Sequence, residues 1–119
     1  MRVYRVQDAE GRGPYRPGMS SRWVDENDIP PPPTWIAEFG EGVMQKLRPG
    51  EFVGCGVRNL AQLSKWFSET EMPRLRALGY KLVVLNAERI LGESPNQVVF
   101  ARRRPLTEGV TIVRYPDEH

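Results

Sequence analysis

The sequence predicts a single α+β domain built as a strand, a long loop, a helix, a strand, two helices and three strands. Three observations lead there. At 119 residues the chain is long enough to bury one hydrophobic core and too short to divide into two. Strand-like and helix-like runs do not alternate regularly, which argues against a parallel βαβ fold, and no internal repeat points to a solenoid. A Pro/Gly-rich stretch over residues 7–33 excludes regular structure there, so residues 1–119 read as one domain carrying one long loop.

The elements follow in order. Val3 and Val6 among Tyr4 and Arg5 make a β-forming run over residues 2–6. The loop from Gln7 to Pro33 exceeds the length usual for structureless connections, and Tyr15 and Trp23 suggest that part of it packs down. Thr34 can cap a helix whose apolar stripe is Trp35, Ile36, Phe39, Val43, Met44 and Leu47, weakened by Gly40 and Gly42. Phe52 and Val53 predict a short strand entering a flexible turn, Gly54-Cys55-Gly56.

Asn59 with Gln62 then caps a helix lined by Leu60, Leu63, Trp66 and Phe67. Ser68 and Glu71 repeat the capping spacing for a helix that turns Met72, Leu75 and Leu78 inward and stops at Gly79. Lys81 to Leu85 reads as a strand, Ile90 and Leu91 as part of a connector, Gln97 to Phe100 as a strand and Val110 to Val113 as the last.

Composition removes several classes of function. The hydrophobic fraction of 39% and charged fraction of 27% are those of an ordinary globular protein. No run approaches the roughly 20 apolar residues that span a bilayer, and the N-terminal stretch resembles no signal peptide, so a cytoplasmic protein without membrane contact is expected. Cys55 is the only cysteine and His119 the only histidine, which excludes an internal disulfide, a thiolate zinc cluster, a Ser/His/Asp triad and a Cys/His dyad. No metal is expected. The acidic residues of the first loop, Asp8, Glu10, Asp25, Glu26 and Asp28, lack the spacing of a calcium loop.

Three short blocks carry a more specific signal. Tyr4-Arg5-Val6 lies on the first strand. Phe52-Val53-Gly54-Cys55-Gly56 leads into the Asn59 helix. Ser94-Pro95-Asn96-Gln97-Val98-Val99-Phe100 opens a late strand. In this order, over roughly Arg2 to Val113, the chain resembles ADP-ribosyltransferases, in the diverged form of small phage and bacterial proteins.

The resemblance implies NAD as cofactor, with Arg5 holding its ribose or phosphates, a role that the fixed donors of arginine suit. It also implies that Gly54, Cys55 and Gly56 border the nicotinamide pocket where the family carries hydroxyl residues. Gln97 stands in the place of the family's glutamate, with Glu93 able to substitute if the loop folds it back. A neutral amide keeps the hydrogen bond to the ribose but not the charge that stabilises an oxocarbenium-like transition state, so transferase activity on a protein or nucleic acid should be weak. Each block also has a plainer reading, as a solvent-facing strand arginine, a tight turn, or an ordinary strand entry.

A second constellation is Arg102-Arg103-Arg104, with Arg12 and Arg16 of the first loop as candidate neighbours. Fourteen of the seventeen basic residues are arginine although the net charge is only +2. Clustered guanidinium groups suit phosphates and carboxylates, and Tyr15 or Trp23 could stack on bases. The alternative to an enzyme is therefore a binding or inhibitor module, such as a phage anti-defence protein, that acts on a protein or nucleic-acid partner. The same arginines also fit a solvated turn. Pro30 to Pro33 fits either a polyproline ligand or a rigid spacer.

Overall fold

The computed structural model describes residues 1–15, 20–25 and 34–115. The opening run forms β1 (Arg2–Gln7), and its β-branched residues are fully sequestered, Val3 and Val6 entering different core clusters. The first sheet is completed by β3 (Lys81–Asn86) and β6 (Thr111–Val113) in the order β1-β3-β6, with Val3 opposite Leu85 and Val83 opposite Ile112. The second sheet has the order β2-β5-β4, from β2 (Phe52–Gly56), β4 (Arg89–Glu93) and β5 (Val98–Arg102). All pairings are antiparallel. The domain is thus α+β, with two small antiparallel sheets and few helices.

The sheets meet at one point. Tyr4 and Val57 exchange backbone N–H···O bonds of 2.8 Å, so the last residues of β2 are laid against β1. A core cluster of Val3, Leu85, Ala87, Val98 and Phe100 fills the space between the sheets. The central strand β5 is buried along its whole length. Val98 and Phe100 face the other sheet, while Val99 and Ala101 face a cluster with Val43 and Leu91.

The caps read from sequence form as expected. Thr34 accepts a hydrogen bond from Ala37 N and starts α1 (Trp35–Phe39). Asn59 accepts from Gln62 N and starts α3 (Leu60–Leu63). Ser68 and Glu71 bond reciprocally at 3.1 and 3.0 Å ahead of α4 (Glu71–Ala77). Gly79, at φ 89°, closes α4 with bonds from Gly79 N to Arg76 O and from Tyr80 N to Leu75 O.

Several expectations need correction. The Trp35–Leu47 helix breaks at Gly40 (φ 79°) into α1 and α2 (Gly42–Gln45), which leaves Ile36 and Met44 exposed. The Asn59 helix stops at Leu63 and continues to Phe67 only as turns. Gly54-Cys55-Gly56 is strand rather than turn, since none of the three has positive φ.

Ile90 and Leu91 belong to β4, so four strands rather than three follow the helices. A bulge between Ile90 and Gly92 turns Leu91 into the cluster beneath α2, and Gly92 lies under the Phe39 ring. Within the long loop, Ser20–Arg22 make a single tight helical turn and Trp23 is fully buried. Arg16, Glu26, Asp28, Pro30 to Pro33 and His119 lie outside the described residues. No helix among the described residues is long and apolar enough to cross a membrane.

Candidate functional site

Register brings the three blocks to one place, the junction of the sheets. Arg5 follows Tyr4, Tyr4 bridges Val57, Gly56 pairs with Val98, and Gln97 precedes Val98. Gly56 permits this approach: a Cβ there would overlap the Tyr4 carbonyl oxygen and Val3 Cγ1. Gly54 has a similar role against Phe100 and Leu106, whose side-chain atoms would lie 3.0 Å from an added Cβ.

The side chains at the junction are engaged with one another. Arg5 is 8% exposed and donates from Nε to Gln7 Oε1 (3.0 Å), from Nη1 to the Cys55 carbonyl (2.9 Å) and from Nη2 to the Gly11 carbonyl (2.8 Å). It therefore ties β1, β2 and the first loop together. Gln7 in turn donates to the Leu106 carbonyl. The Cys55 sulfur lies 4.0 Å from Arg5 Nη1 and is partly exposed.

Above this cluster the loop is pinned by aromatic residues. Tyr15 donates its hydroxyl to the Trp66 carbonyl (2.7 Å) and packs against Trp23, Trp66 and Phe67, while Trp23 Nε1 donates to the Pro14 carbonyl. What remains is a cavity of about 40 Å³ lined by Arg5, Gly13, Pro14, Cys55, Gly56 and Trp66 among others. A water molecule takes about 30 Å³ of liquid, and pockets for drug-sized ligands begin near 300 Å³. NAD does not fit this cavity as it stands.

Gln97 is fully buried, and its Nε2 donates to Glu38 Oε1 at 3.0 Å. Glu38 also accepts from Ser94 Oγ (2.5 Å) and Asn96 Nδ2 (2.7 Å). Burial alone would raise its carboxyl, but these three hydrogen bonds outweigh it and hold Glu38 below its ordinary value. Sequence reading missed Glu38 because no local motif marks it; its partners lie 56 to 59 residues away. Glu93 is not folded back toward Gln97. It forms a two-pronged pair with Arg58, at 2.7 Å to Nε and 2.6 Å to Nη2.

The arginine triplet divides. Arg102 is 2% exposed, and its Nη2 donates to the Pro105 and Glu108 carbonyls, so it holds the turn after β5 from inside. Arg103 and Arg104 are exposed on that turn. The first loop reaches the same end of the molecule, because an added Cβ on Gly11 would contact Thr107 and Leu106. Arg12 there is paired with Asp8 at 3.0 Å and Glu10 at 3.4 Å. Among the described residues no group of three or more His, Cys, Asp or Glu side chains could hold a metal ion.

A family model described as Bacteriophage T4 Y00F protein matches residues 1–111. The chain belongs to that family. It is therefore a phage protein, as its resemblance to small phage proteins implied, although membership in this family carries no indication of an ADP-ribosyltransferase fold. No curated protein and no solved structure matches the chain.

Proposed function

We propose that this phage protein is a non-enzymatic binding module that attaches to an anionic surface of a protein or nucleic-acid partner, with Arg103 and Arg104 as its contacts. One observation carries the reading: the side chains expected to perform chemistry are engaged inside the fold. Arg5 is held by Gln7, Cys55 and Gly11, Gln97 by Glu38, and Glu93 by Arg58. A ligand would have to replace those bonds, at roughly 1 kcal/mol or more for each one left unmade. Exposed Arg103 and Arg104 carry no such cost, and occlusion of a host target requires no catalysis.

A second reading, an ADP-ribosyltransferase-like NAD site, is favoured by the register that gathers Arg5, Cys55, Gly56 and Gln97 at one junction. It requires the Gly11 to Tyr15 segment to move aside. Calorimetric titration with NAD, followed by mass spectrometry for nicotinamide, separates the two. The binding module predicts no saturable NAD binding at millimolar concentration and no nicotinamide release. It also predicts salt-sensitive retention on a polyanion column that falls in the double variant Arg103→Ala, Arg104→Ala. Nicotinamide release that disappears in Gln97→Ala would instead establish the enzyme.

A further inference from the structure

Strand β6 is the outer member of its sheet. β3 pairs with one of its edges, and among the described residues no strand pairs with the other. An edge strand presents a row of backbone N–H and C=O groups with no neighbour, and soluble proteins usually blunt such edges with charge. Here the middle residue is Ile112, 67% exposed.

Two clefts flank Ile112. One of about 140 Å³ is lined by Val83, Thr107 and Val110. The other, of about 240 Å³, places Arg76, Lys81 and Arg114 around Val113 and Tyr115. Lys81 and Ile112 line both. The arrangement is an apolar strand edge between apolar hollows, bordered by cations.

We propose that β6 docks an extended acidic segment of a partner protein by strand addition. The backbone of that segment would pair with the outer edge of β6, an apolar side chain would cover Ile112, and its carboxylates would meet Lys81, Arg76 and Arg114. Charge selects this occupant over a second copy of the chain, because pairing two β6 edges would bring the same cations together. The exposed isoleucine at the centre selects a peptide over a phosphate backbone. The inference deepens the binding-module reading and rests on it only in taking the partner to be a protein, since the surface is separate from Arg103 and Arg104.

The test uses the full chain and a fluorescein-labelled heptapeptide with a Val-Ile-Val centre and acidic flanks, beside a counterpart with lysine flanks, read by anisotropy. The acidic peptide should bind saturably, and Ile112→Thr and Lys81→Glu should each weaken it about tenfold. Arg103→Glu should leave it unchanged, and the amides of Thr111 to Val113 should gain exchange protection in the complex. Absence of saturable binding, equal binding of the lysine peptide, or self-association lost in Ile112→Thr would overturn the proposal. A negative peptide result with the effect of Arg103 and Arg104 on polyanion retention intact would remove this surface alone and leave the binding-module reading standing.

Discussion

Gly56 decides how closely the two sheets approach. An added Cβ would meet the Tyr4 carbonyl oxygen, which is backbone held by its own hydrogen bond and cannot swing aside. Gly56→Ala should therefore destabilise the protein by about 2 to 3 kcal/mol, the upper range for overpacking. Gly42→Ala should instead be neutral or stabilising by up to about 1 kcal/mol, because that site begins α2 with nothing within 4 Å of the new methyl. Urea denaturation of both variants checks the contrast. Equal stability of Gly56→Ala and the parent chain would mean that the bridge between Tyr4 and Val57 is looser than described. Arg102 teaches a related lesson about neighbours in sequence. Three consecutive arginines read as one patch, yet strand alternation and a turn that needs donors send the first inward and leave the other two outside.

At the scale of elements, what could be read from sequence was what neighbouring residues determine. Thr34, Asn59, the Ser68 and Glu71 pair and Gly79 mark helix ends because each cap is closed within three to five residues. Strand β4 was not legible, since Arg-Ile-Leu-Gly-Glu has neither length nor alternation and becomes a strand only by pairing with β5. The site divides the same way: its three blocks were visible, but the bonds that occupy Gln97, Glu93 and Arg5 come from distant segments.

The link between α1 and the β4–β5 loop gives a pH prediction. Glu38 titrates near its ordinary value of 4.5 when unfolded and lower when folded, where Ser94, Asn96 and Gln97 donate to the ionised form. Its contribution to stability is therefore full above about pH 4.5, falls as the pH drops through the folded value, and is gone below it. Glu38→Gln should lower the urea midpoint at pH 7 and flatten the acid limb between those limits. An acid limb of unchanged slope would show that other carboxylates dominate it.

Across the whole molecule, the two sheets share one backbone bridge and one apolar cluster, with Val3 and Leu85 from the first sheet packed on Val98 and Phe100 from the second. A chain of this size with a shared core should unfold as one unit. Trp23 reports the cluster under α3 and α4, and Trp35 reports the cluster beneath α1, on the far side of the second sheet. Urea transitions followed by fluorescence in Trp23→Phe and in Trp35→Phe should each coincide with the transition of the same variant by circular dichroism. Val3→Ala should shift all probes together by about 2 kcal/mol. Separate midpoints would mark the sheets as independent units. Coincident midpoints bear directly on the junction cavity, because sheets that unfold together cannot part to admit a ligand. Any space of nucleotide size would then have to come from the Gly11 to Tyr15 segment, held by Arg5 at one end and Trp66 at the other.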